Sequence, residues 1–304
     1  MNRIVVGTRG SMLARWQADF IAKALRQAHP ALTIDEKIIV TEGDRISSGP
    51  LWNAGGKGLW VKEIEAALLT GEIDLAVHSM KDVPGELAPG LAIAAIPARA
   101  DVRDAVVSRD GNGLDNLAQG VRVGTTSLRR AFQLKVLRPD LDIQILRGNL
   151  DTRLRKVADG VVDAAILACA GLDRLGFSER IAERLAIERM LPAVGQGALA
   201  IETRADDQRT RALCGVLEDR ETAIAVTAER AFLARLGATC RTPVAGHAQL
   251  QDGQVLLRGR IGKPDGSATL ADQASGPPES AAEIGRGLAE ALLSQGAAAM
   301  LYGS

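Results

Sequence analysis

Two short stretches of this chain occur twice, in the same order, and that repetition limits what it can fold into. Val6-Gly7-Thr8-Arg9-Gly10-Ser11 returns as Val123-Gly124-Thr125-Thr126-Ser127 once one inserted residue is allowed, and Gly71-Glu72-Ile73-Asp74-Leu75-Ala76-Val77 returns as Gly160-Val161-Val162-Asp163-Ala164-Ala165-Ile166. Chance likeness between ordinary strand-turn-helix segments is one explanation. The other is two lobes of one architecture facing each other across a cleft, the kind of place where small-molecule sites lie.

The pattern around the repeats supports α/β lobes with largely parallel sheets. Ile4–Val6 reads as a strand, and Ser11 as the cap of a helix running toward Ala28 with apolar Leu13, Trp16, Phe20, Ile21 and Leu25. Strands follow at Ile34–Val40, Ile73–Val77 and Leu91–Ile96, with a helix over Val61–Thr70. The second lobe has strands at Val121–Val123, Ile143–Leu146 and Ala164–Ala168, and helices over Ser127–Leu137 and Asn149–Ala158. From Glu221 the pattern changes: a helix to Leu236 stopped by Gly237, strands near Gly246–Leu250 and Val255–Ile261 around a turn at Gln251-Asp252-Gly253, and a last helix over Ser280–Gln295. This predicts a first lobe over 1–98 and 198–217, a second over 103–192, and a C-terminal α+β domain over 220–304. The hinges fall near 98–102 and 192–197, where the chain leaves the first lobe and returns to it.

Composition narrows the function classes. The chain has 304 residues and is 46% hydrophobic and 24% charged, a globular profile. No apolar run is long enough to span a membrane. The chain enters Ile4-Val5-Val6 directly, which argues against a secretory signal. Three cysteines do not make a disulfide framework, so a reducing cytoplasm is expected. With 37 basic and 37 acidic residues there is no basic footprint for nucleic acid. Eight of the 37 basic residues are lysines, leaving 37 − 8 = 29 arginines. Arginine is the better fork for carboxylates and phosphates, although codon usage alone produces such an excess. Placement has to decide.

The placement favours anion binding. Thr125-Thr126-Ser127 lies between a strand and a helix that starts with Leu128-Arg129-Arg130. Backbone N–H groups and the positive end of a helix dipole point outward at such a junction. Arg9 and Ser11 occupy the matching junction of the first lobe, and Arg147, Arg153 and Arg174 lie near strand ends or helix starts. Any one of them alone reads equally as a solvated surface charge. His78-Ser79-Met80-Lys81-Asp82-Val83-Pro84 follows a strand directly, so Asp82 beside Lys81 is either a tuned acid/base or an ordinary loop ion pair. Gly55-Gly56-Lys57-Gly58 lacks the hydroxyl and the first glycine of a phosphate loop, and reads as a lid carrying Lys57 or as plain loop. Cys169 reads as a buried strand residue and Cys214 as a helix residue. Cys240, on a turn beside Arg241, is the best candidate for a reactive thiolate. The scattered His29, His78 and His247 give no metal site.

Together these segments resemble the porphobilinogen deaminase (hydroxymethylbilane synthase) family, along nearly the whole chain and most weakly after about residue 250. The matching motifs are Gly7–Ser11, Gly55–Gly58, Val77–Pro84, Gly124–Arg130, Leu146-Arg147-Gly148-Asn149, Leu191–Gly197 and Cys240. The resemblance implies a three-domain fold: two lobes like those of solute-binding proteins and a C-terminal α+β domain. It implies a transferase that joins four porphobilinogen molecules head to tail, with loss of ammonia, into hydroxymethylbilane. The primer is a dipyrromethane cofactor attached through Cys240. It further implies Asp82 as the catalytic acid/base, and cofactor contacts from Lys81, Thr126, Ser127, Arg129 and Arg130. Substrate contacts are implied for Arg9, Ser11, Lys57, Arg147, Arg153, Arg174, Arg99 and Gln196, and a monomer is the family default. The chain departs from the family at Asn53, where a second lid lysine can stand, and at Trp60, where phenylalanine is common.

Two rivals remain. A two-lobed anion receptor without catalysis explains the lobes and arginines but not Cys240 or the Lys81–Asp82 loop. A nucleic-acid binder conflicts with the zero net charge and the scarcity of aromatic stacking platforms.

Overall fold

The computed structural model of the chain describes residues 3–45, 60–239 and 242–302. They form two compact units. One holds the chain up to Arg99 together with Ala198–Ala223; the other holds Ala100–Gly197 and the chain from Ile224 onward.

In the first unit, β1 (Arg3–Thr8) leads into α1 (Met12–Ala28), β2 (Thr33–Ile38), the short α2 (Glu42–Arg45), α3 (Lys62–Leu69), β3 (Leu75–Ser79) and β4 (Leu91–Ala95). The chain then builds β5 (Asp104–Ser108), β6 (Arg122–Gly124), α4 (Leu128–Leu137), β7 (Asp142–Gln144), α5 (Leu150–Ala158), β8 (Ala164–Ala168), α6 (Cys169–Arg174) and β9 (Glu183–Arg184) in the second unit. It returns to the first with β10 (Leu199–Arg204) and α7 (Gln208–Gly215). It ends in the second with α8 (Arg220–Arg235), β11 (Val244–Gln251), β12 (Gln254–Gly262), β13 (Thr269–Gly276), α9 (Ala281–Ser294) and α10 (Ala297–Tyr302).

The two lobes have one topology. Their sheets run β2-β1-β3-β10-β4 and β7-β6-β8-β5-β9. In each, the first three strands are parallel and the fourth is antiparallel to both its neighbours. The expectation of largely parallel sheets is therefore corrected to mixed sheets. The antiparallel member in each lobe is the strand that enters from a crossing between lobes, β5 on the way out and β10 on the return.

The repeated sequences occupy equivalent places in detail. Ser11 and Ser127 cap α1 and α4, their hydroxyls accepting from Ala14 N at 3.3 Å and Arg130 N at 3.4 Å. Gly71 and Gly160 follow α3 and α5 at φ 72° and 73°, a left-handed position that favours glycine. Asp74 and Asp163 then accept from the backbone N–H groups of Val5 at 2.8 Å and Arg122 at 3.0 Å, tying the third strand of each sheet to the second.

The first lobe buries Ile4, Val6, Ile21, Leu25, Leu75, Leu199 and Ile201 on its α1 face. Ile64, Leu68, Ile73 and Ala76 are buried on its α3 face. The C-terminal domain packs α8 and α9 on the antiparallel sheet β11-β12-β13 around Phe232, Leu257, Ile261 and Leu288. Cys169 is buried but opens α6 instead of ending β8, because the chain turns into helix as soon as the apolar strand run is complete. Burial pushes the thiols of Cys169 and Cys214 up to about 12. Among the described residues no helix is long and apolar enough to cross a membrane, and no cluster of metal-ligating side chains occurs.

Candidate active site

A pocket in the first lobe lies at the carboxyl ends of β1 and β3, where open α/β sheets bind ligands. Its walls include Arg9, Ser11, Gln17, Trp60, His78, Ser79 and Asp82. β1 ends at Thr8, and the next three residues carry the chain into α1, so Arg9 and Ser11 stand at the positive end of that helix. Ser11 accepts from Ala14 as the helix cap, and its O–H remains a donor of the kind a carboxylate takes. After β3 a single 3₁₀ turn over Met80–Asp82 carries Asp82 to the pocket, fixed by Met80 N donating to Ala198 O at 3.0 Å. Gln17 of α1 donates to Ser79 Oγ at 2.8 Å, which ties the two walls together. The structure thus brings three expected site residues, Arg9, Ser11 and Asp82, into one pocket; Lys81 precedes Asp82 in the same turn.

Arg9 is already paired. Its guanidinium donates to both oxygens of Asp44, with Nε at 3.2 Å from each, and stacks over the Trp60 ring at 4.1 Å. Burial pushes the Asp44 carboxyl up, but bonds and charge from Arg9, with Thr41 bonds, outweigh it and hold the group below the usual range. Asp44 and Gln17 were missed as site residues, and Trp60 was noted only as a departure from the family; an acid a few tens of residues from an arginine leaves no periodic signal.

In the second unit the arginines at the start of α4 are largely committed to internal partners. Arg129 Nη1 donates to Asp104 Oδ2 and to Leu191 O, each at 2.7 Å; Arg130 Nη2 and Nε donate to Asp104 Oδ1 at 2.7 and 3.0 Å. Burial pushes the Asp104 carboxyl up, yet the two guanidinium charges outweigh it and hold it far below the carboxylate range. Burial pulls the Arg129 guanidinium down, against the opposing pull of Asp104. Gln196, expected at substrate, is buried and donates to Val102 O at 2.8 Å and Asp104 Oδ1 at 3.0 Å. Asp104 was also missed, though two adjacent arginines on a buried helix face require an acid somewhere.

The other expected residues divide. Arg147 is half-buried in the loop before α5, which Arg153 Nε and Lys156 Nζ hold by donating to Gly148 O at 2.8 Å and Arg147 O at 3.1 Å. Arg174 ends α6 and donates to Gly197 O at 2.7 Å; burial pulls its guanidinium down to about 10. Arg99 N donates to Thr222 Oγ1 at 3.1 Å in the first unit. Thr126 and Ser127 lie at the start of α4, where Ser127 N donates to Thr125 Oγ1 at 3.1 Å. Lys57 with its Gly55–Gly58 loop, Asn53 and Cys240 lie outside the described residues.

The residues present fit an anionic, carboxylate-bearing cofactor in the second unit. Arg129 Nε is buried and has no partner among the described residues, in the first turn of the helix that Ser127 caps. A carboxylate is the chemistry such a donor takes.

Two lobes of one strand order and a third small domain define a two-lobed α/β protein, with a lobe pocket that combines arginine and serine donors with a carboxylate. Residues 4–212 match the family model of the porphobilinogen deaminase dipyrromethane cofactor binding domain, and residues 223–294 match that of the porphobilinogen deaminase C-terminal domain. The chain is 50% identical over 292 residues to the porphobilinogen deaminase of Syntrophotalea carbinolica, covering 96% of this chain and 93% of that protein. It is 48% identical over 301 residues to that of Syntrophobacter fumaroxidans, covering 99% and 97%. Among solved structures it is similar to the periplasmic aliphatic sulphonate binding protein SsuA from Escherichia coli, at 14% identity and a TM-score of 0.41, covering 77% of this chain and 70% of that one. That likeness is slight, and the fold assignment rests on the strand order itself. The chain belongs to the porphobilinogen deaminase family, whose members are transferases that make hydroxymethylbilane on a dipyrromethane cofactor.

Proposed function

We propose that the first-lobe pocket is where porphobilinogen is deaminated and joined to the growing chain, with Asp82 as the acid/base. One observation carries the reading: Asp82 lines the same pocket as Arg9 and Ser11, which stand at the positive end of α1. Each condensation breaks the C–N bond of an aminomethyl group, releasing ammonia, and forms a C–C bond to a free pyrrole carbon, which then gives up its proton. The amine needs a proton to leave and the pyrrole carbon loses one, so a single carboxyl group that gives and retakes a proton balances every round. The acetate and propionate groups make the substrate and chain polyanionic. Arg9, Ser11, Arg147, Arg153 and Arg174 hold these carboxylates in this reading, with Lys57, Arg99 and Gln196 as further contacts. The buried side chain of Gln196 supports an indirect role, bracing Asp104, better than a direct one.

Lys81, Thr126, Ser127, Arg129 and Arg130 hold the dipyrromethane, attached at Cys240. When bound, that group supplies the pyrrole carbon from which the chain starts. Asp104 pairs with both α4 guanidinium groups and so fixes the side chain that carries Arg129 Nε. The same reading divides the chain at 1–98 and 198–217, 103–192 and 220–304, with hinges near 98–102 and 192–197. It places the protein in the cytoplasm as a monomer. The unpaired, buried Cys169 and Cys214 agree with a reducing compartment.

Intact mass is the first test. Wild-type protein should carry an addition of two pyrrole units that is absent from Cys240→Ser; an unmodified mass in active enzyme rejects the attachment. Asp82→Asn should keep porphobilinogen binding and lose roughly 10²-fold or more in turnover, the loss expected for a positioned acid/base. Near-normal turnover would remove Asp82 from the reaction.

A further inference from the structure

His78 and Glu202 are buried ionisable groups that the acid/base scheme leaves unused. They lie on adjacent antiparallel strands, His78 opposite Ala200 and Glu202 opposite Ala76, so both project from the α3 face of the sheet. His78 Nε2 donates to Glu202 Oε2 at 3.0 Å, with side chains 4% and 1% exposed. A buried carboxylate normally has both oxygens satisfied, yet Glu202 Oε1 has no partner among the described residues. Glu65 of α3 stands close enough to feel both. Its carboxyl is pushed up by burial first, then by the Glu202 charge, and His78 opposes this. Of these three groups His78 lines the pocket that also contains Asp82, with Glu202 buried behind it.

The second lobe lacks all of this. In the strand equivalence of the two sheets, His78 corresponds to Leu167, Glu202 to Val107, and Asp82 to Gly171. The packing of the lobe does not require a His–Glu pair at the end of its third strand; the second lobe builds the same sheet with an apolar residue there. The pair goes with the lobe that has the acid/base.

We infer that His78, backed by Glu202, is a positioning residue that holds a proton beside the pocket and thereby sets the ionisation of Asp82. The inference rests on Asp82 being the acid/base. Around His78 the charged groups are Glu202 from β10, Glu65 from α3, Arg9 from the β1–α1 junction, and Lys81 and Asp82 from its own turn. Glu202 accepts the Nε2 proton and stabilises the imidazolium that forms when Nδ1 is protonated, as a buried carboxylate does behind a catalytic imidazole. A positive ring on the pocket wall favours the ionised form of a nearby carboxylate.

The test measures kcat and KM for porphobilinogen against pH in wild type, His78→Gln and Glu202→Gln, with folding checked by thermal melting. In both variants kcat should fall about tenfold with KM within about twofold of wild type. The acid limb of the kcat profile should move to higher pH in both, because each leaves a neutral group where the imidazolium stood. Movement of the Glu202→Gln limb to lower pH, the response to losing a bare negative charge, overturns the inference, as does a wild-type profile in either folded variant. Should Glu202→Gln fail to fold, His78→Gln carries the test. A wild type that does not consume porphobilinogen would instead overturn the function itself, so the two failures are distinct.

Discussion

At the residue scale, the acidic partners decide what the arginines can do. The sequence places Arg129 and Arg130 at a helix start, but Asp104 lies 25 residues earlier and is fully buried between them. Removing one member of such a buried cluster leaves charge uncompensated in the interior. Asp104→Asn should therefore destabilise the protein by about 3–5 kcal/mol in denaturant unfolding at neutral pH. The pH dependence follows from the depressed carboxyl. Its stabilisation is complete above the unfolded value near 4 and is lost as the pH falls through the still lower folded value. The gap between wild type and variant should stay constant from pH 7 to 5 and narrow only below about 4. Arg9 and Asp44 form a more exposed version of the same arrangement, in which a substrate carboxylate has an internal one to displace.

At the element scale, the sequence is most legible where backbone chemistry is local. Ser11 and Ser127 mark their helices because a hydroxyl at that position satisfies a free N–H. Asp252-Gly253 marks its hairpin because both residues adopt positive φ, 51° and 75°, joining β11 to β12 through two residues. β13 left no such trace. It is an edge strand with alternating exposed and half-buried residues, and its inward positions include Asp272. β5 and β10 were also not marked, because their partners lie far away in sequence. The packing of α9 on α8 gives a paired prediction. A Cβ at Gly285 would stand 2.2 Å from Ala228 O and 2.8 Å from Ala231 Cβ, whereas one at Gly287 meets nothing within 4 Å. Gly285→Ala should cost about 3 kcal/mol, the upper end for overpacking. Gly287→Ala should add up to about 1 kcal/mol of stability from helix propensity. Chemical denaturation of the two variants reads both signs.

At the scale of the whole molecule, the return crossing is held from two sides within the second unit. Gln133 of α4 donates to Leu191 O at 3.0 Å and accepts from Leu191 N at 2.8 Å. From the C-terminal domain, Gly246 N donates to Pro192 O at 3.0 Å, and buried Glu229 accepts from Gly195 N at 2.6 Å and Ala248 N at 2.8 Å. Gly197, at φ 88°, leaves no room for a side chain, since a Cβ would stand 2.5 Å from Ala100 O on the outward crossing. The last domain therefore grips the segment through which the chain re-enters the first lobe. Glu229→Leu should raise hydrogen exchange at the Gly195 amide by between about 10- and 100-fold, as expected for losing a hydrogen bond to a charged acceptor worth about 1.5–3 kcal/mol. Unchanged protection there would show that Glu229 does not hold the crossing.

The sequence by itself determined the repeated strand-turn-helix architecture, the helix caps and hairpin, the family, and the loop that carries Asp82. These depend on contacts within a few residues or on motifs long enough to be specific. Only the tertiary structure decided that the sheets are mixed, that Cys169 begins a helix, that Arg9, Arg129 and Arg130 already have carboxylate partners, and that His78 rests on Glu202. Those facts depend on which distant residues are brought together, by strand pairing across a crossing or by charge balance in the interior. A buried charge must find its counterion in space, and nothing in its local sequence says where that counterion will come from.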